Sequence, residues 1–356
     1  MPLVSHNDLP SFQRLQKEGI QVLSPERARH QDIRELHIGL LNMMPDAALE
    51  ATERQLFRLV GHSNQIAQFY LHPFTLKSIK RGGKANQHIK QHYQTFADIK
   101  AQGLDALIIT GAYVEQADLQ KAAFYEALKE VVDWSYDHVT STLCSCLATH
   151  AVLEFRYGQK RQAIGKKCWG VFPHQVLDRQ HPLMSGVNTR FDVPHSRFNE
   201  ISKAQFNAAG VKILVNSKAG AHLGVSEDLL RIVFFQGHPE YDTISLLKEY
   251  KREIIAYLAK VRQTYPPFPE HYLGEQSKAI LDEYQAKLLT KEFSISDFPE
   301  QLISQTLGNT WHDASRQIIS NWIGCVYQVT HEDINKPFME GINPHDPLNL
   351  KRPLYQ

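Results

Sequence analysis

Short apolar runs and longer stretches of helical periodicity alternate from Leu36 to about Leu258. The runs at 36–42, 64–70, 106–110, 140–144, 212–216 and 231–236 are rich in Val, Ile, Leu or Phe and short enough to be strands. Apolar residues recur at helical spacing over 47–60, 119–135, 147–157 and 243–260, the last opening on Asp242 or Thr243 as a cap. This alternation predicts an α/β fold, a parallel-sheet core with helices on both faces. Ligands of such sheets bind beyond the carboxyl ends of the strands.

The same pattern divides the chain. Residues 36–260 form the core, residues 1–35 read as an N-terminal segment packed on it, and Tyr265-Pro-Pro-Phe-Pro269 marks the passage to a mainly helical C-terminal extension, 261–356. Within that extension Trp311, Ile318, Ile319, Trp322, Ile323 and Val326 suit an amphipathic helix that packs back on the core or on a partner subunit. Residues 336–356 hold several prolines and little periodicity, and read as loosely attached.

Composition narrows the function classes. The 356 residues are 42% hydrophobic and 22% charged with a formal charge of +1, so a sizeable core is available and no basic excess points to nucleic acid. The local cluster from Lys77 to Lys84 contains Gly82 and Gly83 and reads as an exposed loop. There is no apolar run long enough for a bilayer and no leader pattern at the amino terminus. The 4 cysteines do not make a disulfide framework, so a reducing cytoplasm is expected.

Candidate chemistry sits where apolar runs end. Cys146 falls between a β-type run and a helical one, so its sulfur lies at the amino end of a helix, where the dipole and free N–H groups favour a thiolate. Cys144 reads as a buried core thiol, and Cys168 and Cys325 repeat no paired spacing, so a metal site is not indicated. The run Arg231-Ile-Val-Phe-Phe-Gln-Gly-His-Pro-Glu-Tyr-Asp242 ends in Gly237 and then presents His238 and Glu240, two residues apart and so able to face one side. A thiolate needs an imidazole to manage its proton, and that imidazole needs a third group to hold its tautomer. Taken singly, each is equally a surface histidine and a solvated glutamate.

Several motifs in order carry a resemblance. They are Leu41-Asn-Met-Met-Pro45 with Thr52-Glu53, Ile109-Thr-Gly-Ala112, Ser141-Thr-Leu143 leading to Cys146, Pro194-His-Ser-Arg197, Gly237-His-Pro-Glu-Tyr-Asp242, and Asn321-Trp322 with Val326-Tyr-Gln328. Almost end to end, the chain resembles the homoserine O-acyltransferases of the methionine pathway, enzymes with a class I glutamine-amidotransferase-like (flavodoxin-like) fold. The resemblance implies that Cys146 carries the acyl group as a thioester, that His238 is the general base and that Glu240 supports it. It implies acceptor contacts at Lys167, Ser196 and Arg252, whose guanidinium suits a substrate carboxylate. Acyl-CoA is then a co-substrate with a small hydroxy amino acid as acceptor, no cofactor is bound, and a homodimer is expected, with the apolar face near Trp322 as one contributor.

Ping-pong acyl transfer is the expected chemistry, with an oxyanion held by the backbone N–H groups of Leu147 and Ala112. In the family, glycine at the position of Glu115 accompanies succinyl-CoA and glutamate accompanies acetyl-CoA, so Glu115 implies acetyl-CoA. A carboxylate there would repel the distal carboxylate of a succinyl group. The chain departs from the family at Leu147, where an aromatic residue is common, at His150, where glutamine is, and at Tyr113, where proline is. Serine as acceptor, or a hydrolase of the amidotransferase kind, therefore stays open, as does a binding protein that has lost catalysis. His150 reads as a packing or solvent-facing residue one turn along from Cys146, with contact to the site as the alternative.

Overall fold

The structure, a computed structural model, describes residues 3–30, 33–63, 67–114 and 118–351. The chain begins with β1 (Leu3–Val4), α1 (Pro10–Lys17), β2 (Val22–Leu23) and α2 (Pro25–Arg29). Then come β3 (Glu35–Leu41), α3 (Leu49–Gly61), β4 (Gln68–Phe74), α4 (Gly83–His92), α5 (Phe96–Gln102) and β5 (Ala106–Ile109). They lead to α6 (Tyr125–His138), β6 (Ser141–Ser145) and α7 (Leu147–Tyr157). The next stretch is β7 (Gln162–Val176), β8 (Arg190–Glu200), α8 (Lys203–Ala208), β9 (Lys212–Ser217), β10 (Gly220–Val225) and β11 (Ile232–Phe235). Helices α9 (Ser245–Leu258), α10 (Glu275–Leu289), α11 (Glu300–Ser304) and α12 (His312–Val329) close the chain.

Among the described residues the strands form one sheet of 11, in the order β2-β1-β4-β3-β5-β6-β11-β10-β9-β7-β8. From β2 to β11 every pairing is parallel, and from β11 to β8 every pairing is antiparallel. The parallel core expected from the sequence is present as the larger part of a mixed sheet. In the antiparallel part the apolar run 212–216 is β9, whereas its neighbours escape an apolar-run reading for a physical reason. Strand β7 is largely exposed over its first residues and β10 carries two glycines and a histidine, so neither shows a buried-strand signature.

Expected strand 64–70 is β4, displaced to Gln68–Phe74, with residues 64–66 outside the described residues. His72 and Pro73 look like strand breakers in the sequence. In the fold His72 is buried and bonded to His37 (3.0 Å) and Gln94 (3.1 Å), and Pro73 forgoes one N–H near the strand end. Expected helix 119–135 is a single 3₁₀ turn at Leu119–Lys121 followed by α6.

The N-terminal segment extends the sheet as well as packing on it. Strand β1 pairs with both β2 and β4. Glu53 on α3, fully buried, accepts hydrogen bonds from Ser11 on α1, from His88 Nε2 on α4 (3.0 Å) and from Tyr93 Oη (2.9 Å). Three donors offset the cost of burying that carboxylate.

Helix α12 lies with α1 and α3 in the apolar layer covering one face of the sheet. Trp322 is completely buried there, its Nε1 donating to Ser141 Oγ on β6 at 2.8 Å. The face near Trp322, expected as a contributor to a dimer, is thus consumed inside the chain. Residues 336–351 are attached too: Phe338, Ile342 and Leu348 pack on the same layer, and Met339 N–H donates to Val329 O at 3.0 Å. Residues 352–356, the rest of that expected loose segment, lie outside the described residues. On the other flank, α9, α10, Phe298 and Trp311 enclose Trp169 and Val171 of β7. Gly170 takes φ +146°, and a Cβ there would lie 2.1 Å from the Glu270 carbonyl oxygen, so only glycine admits this strap.

Replacing Trp322 by alanine should lower unfolding free energy by about 3–5 kcal/mol through the cavity left behind. Trp322→Phe, which loses chiefly the Ser141 hydrogen bond, should cost about 1–2 kcal/mol. Urea denaturation of both variants measures the difference; equal stabilities would refute the internal role of this side chain.

Candidate active site

Strand β6 runs into α7 with a single residue between them, Cys146, whose backbone takes φ 52° and ψ −111°. A side chain in that region costs about 1–3 kcal/mol and persists only where its surroundings enforce it. Here they do. Cys146 N–H donates to Phe235 O at 2.8 Å, and Thr149 Oγ1 ties Cys144 O (2.9 Å) to Phe235 O (2.8 Å). The turn lifts the sulfur off the sheet edge at the start of α7, as in a strand-turn-helix nucleophile elbow.

Strand β11 lies beside β6 in parallel register, Phe235 opposite Ser145, so the residues after it emerge next to Cys146. His238 N–H donates to Pro194 O at 2.9 Å, its Nδ1 meets Glu240 Oε1 at 2.9 Å, and its ring lies close enough to Cys146 for the two charges to act on each other. With Nδ1 committed to Glu240, Nε2 serves the sulfur. Burial opposes a charge on this imidazole, but the facing Cys146 thiolate and the Glu240 carboxylate outweigh it and hold its pKa well above the ordinary value. The three residues expected to cooperate are thus brought into line.

Gly237 sits where only glycine fits: a Cβ would lie 2.4 Å from Val193 Cγ1 and 2.9 Å from His222 Nδ1. Behind it stand His174, His195 and His222, each pushed down in pKa by burial and so neutral, with His195 Nε2 3.3 Å from His174 Nε2. This neutral wall contributes no positive charge to compete with His238.

The expected acceptor residues converge on a group the sequence does not advertise. Ser196 Oγ donates to Glu249 Oε2 (2.7 Å), as does Trp169 Nε1 (2.9 Å), while Tyr241 Oη donates to Glu249 Oε1 (2.6 Å). Lys167 Nζ lies 3.8 Å from Glu249 and 3.3 Å from Glu253. Tyr241 in turn stacks on His238, ring centroids 4.2 Å apart, so the acceptor residues and the imidazole belong to one network. Its signal in the sequence is slight: Glu249 is an acidic residue among Leu246, Leu247 and Tyr250 on the buried face of α9. Arg252, one turn further along, is exposed and forms no ion pair among the described residues. Glu249 and Glu253, its helix neighbours, are taken by Lys167 and Arg262 instead.

Gly111 faces the elbow, a Cβ there lying 3.4 Å from Cys146 Cβ and 3.8 Å from the Leu147 nitrogen. The Ala112 backbone is therefore near the first N–H of α7. Arg161, unremarked in the sequence, is close enough for its charge to interact with Cys146. His150 is a packing residue of the interior, one turn along α7. It is buried, bonded through Nε2 to Gln236 Oε1 at 3.0 Å, and driven by burial to a pKa of about 3. Glu115 lies outside the described residues. Among those described, no group of three or more His, Cys, Asp or Glu is arranged to hold a metal ion, and no helix is long and apolar enough to cross a membrane.

A family model described as homoserine O-succinyltransferase matches residues 2–332. The homoserine O-succinyltransferase of Nitrosococcus oceani is 62% identical over 99% of this chain and 100% of its own length. That of Allochromatium vinosum is 61% identical over 98% of this chain and 99% of its own. Among solved structures, a glutamine amidotransferase from Thermotoga maritima has a TM-score of 0.41 at 11% identity, covering 83% of this chain and 99% of that one. Matched along almost its entire length by the family model and by these relatives, the chain belongs to the homoserine O-succinyltransferase family of acyltransferases.

Proposed function

We propose that the protein moves a succinyl group from succinyl-CoA to the hydroxyl of L-homoserine, by way of a thioester on Cys146, in methionine biosynthesis. The observation that carries this reading is the strained elbow at Cys146 with the His238 imidazole beside the sulfur and Glu240 bonded behind it. That arrangement suits covalent catalysis by a thiolate.

The proton balance follows from the charges. Cys146 thiolate attacks the thioester carbonyl, the oxyanion is held by the N–H groups of Leu147 and Ala112, and CoA leaves as a thiol with the proton of His238. Acylation makes Cys146 neutral, which removes the largest influence raising the His238 pKa. The imidazole is then free to take the hydroxyl proton of homoserine, whose oxygen attacks the thioester. Expulsion of Cys146 thiolate restores the original ion pair. Glu240 holds the imidazole tautomer throughout. Arg252, which among the described residues has no carboxylate partner, binds the carboxylate of the acceptor together with Lys167, and Ser196 orients it.

Succinyl replaces the acetyl donor implied by Glu115. Relatives matching the whole chain at 62% and 61% identity carry the succinyltransferase name, which outweighs one side chain.

Four measurements test the reading. Succinyl-CoA alone should add one succinyl group, visible by mass spectrometry and absent from Cys146→Ala; an adduct that survives the substitution would sink the thioester. The kcat/KM for succinyl-CoA should exceed that for acetyl-CoA, and the reverse ratio would restore the acetyl reading. Removing the thiolate lowers the His238 pKa, so by NMR its imidazolium should persist to higher pH in the parent protein than in Cys146→Ala. Arg252→Ala should raise KM for homoserine roughly tenfold or more, with the rate of Cys146 acylation unchanged.

A further inference from the structure

The cluster from Lys77 to Lys84 reads in the sequence as a mere exposed loop. Folded, its first half becomes one wall of a groove of about 840 Å³. Five cations, Lys77, Lys80, Arg81, Lys90 and Lys100, line it against one carboxylate, Glu130, among the described residues. Glu130 is committed to Lys100 at 3.1 Å. Arg81, its side chain only 6% exposed, anchors the loop by donating to Met44 O, to Asn42 O (3.1 Å) and to Thr75 Oγ1 (3.0 Å), with Asp46 at 3.3 Å. That leaves Lys77, Lys80 and Lys90, all exposed and, among the described residues, without an ion pair or side-chain hydrogen bond. The Asp98 carboxylate is within electrostatic reach of Lys77, and the three ammonium groups still outnumber the acidic groups around the concavity, which fits a ligand with several phosphate charges.

The floor is apolar, formed by Leu76, Ile79 and Phe96, and it belongs to the same packed cluster as Leu147, Ala112 and Val114 beside the nucleophile. The geometry also sets a distance. Strands β4, β3, β5 and β6 lie side by side with their carboxyl ends level, Phe74 opposite Leu41, Leu41 opposite Ile109 and Ile109 opposite Cys144. Three inter-strand spacings separate the groove from Cys146, about 14 Å. From sulfur to phosphate, a pantetheine arm has as many chain bonds as about four residues of extended backbone, also about 14 Å.

The other cavity near the site, about 460 Å³ beside Glu240, offers no such charge: its Arg58 is held by Glu18 and Asp242.

We infer that the groove lined by Lys77, Lys80 and Lys90 holds the adenosine 3′-phosphate 5′-diphosphate end of the acyl-CoA donor, an inference that rests on the acyl-CoA reading above. The pantetheine arm then crosses the ends of β3 and β5, over Gly111 and Ala112, to deliver its thioester to Cys146.

The test compares succinyl-CoA with S-succinyl-pantetheine, which lacks the nucleotide, in the parent protein and in the double variants Lys77→Glu/Lys80→Glu and Lys80→Glu/Lys90→Glu. Charge reversal should raise KM for succinyl-CoA by at least tenfold more than KM for S-succinyl-pantetheine. Adenosine 3′,5′-bisphosphate should compete with succinyl-CoA in the parent protein and lose that ability in the variants. Equal changes with both donors, or an unchanged KM for succinyl-CoA, would overturn the assignment. Failure of Cys146 to be acylated by either donor would overturn the proposed function itself, so the two failures are distinguishable.

Discussion

Cys146 donates its backbone N–H to the Phe235 carbonyl at 2.8 Å, at the carboxyl end of the pairing between β6 and β11. That bond fixes two things together. It holds Cys146 in a backbone region that a side chain avoids, and it sets the height at which the chain leaves β11 for Gln236, Gly237 and His238. A register shift of one residue would turn each side chain of the strand to the opposite face, so the partnership of thiol and imidazole is a property of strand pairing before it is a property of the side chains. Around it, Gly237 lets the neutral His195 and His222 close in from behind, so those rings add no charge of their own and Cys146 and Glu240 raise the His238 pKa.

The parallel part of the sheet was legible because buried strands in a parallel sheet are short and largely apolar: β5 and β11 are continuous apolar runs, and β3 and β6 are fully buried over most of their length around Ile38, Leu40, Leu41, Leu143 and Cys144. The closeness of Cys146, His238 and Glu240 was legible because all three follow strand ends, which this architecture brings to one edge. Strands β7, β8 and β10 were not, since exposure along one edge and two glycines in β10 erase the apolar signature. Glu249 stayed hidden for a related reason. A carboxylate on a helix reads as a solvated residue, and only the approach of Trp169, Ser196 and Tyr241 from distant parts of the chain reveals that it is the hub. The basic loop after β4 misled in the opposite direction: its charges are exposed, as expected, but α4 and α5 fold them around a concavity that spacing along the chain cannot express.

Two buried carboxylates, Glu53 and Glu249, organise opposite flanks of the molecule by the same device, each gathering three neutral or weakly basic donors from separate elements. Burying an unpaired carboxylate costs several kcal/mol, so each hub penalises any arrangement in which one of its donors strays. Specificity of packing is the gain: α1 and α4 are pinned to α3 on one side, and β7, β8 and the loop after His238 to α9 on the other.

The hydrogen bond from Trp322 to Ser141 spans 181 residues of sequence. During synthesis at roughly 5–20 residues per second, that separation corresponds to about 10–40 s in which β6 has left the ribosome without the helix that covers it. The half-built sheet must therefore endure with the apolar face beneath α12 uncovered. The strand that leads into Cys146 gains its final cover only as the last stretch of chain is being made.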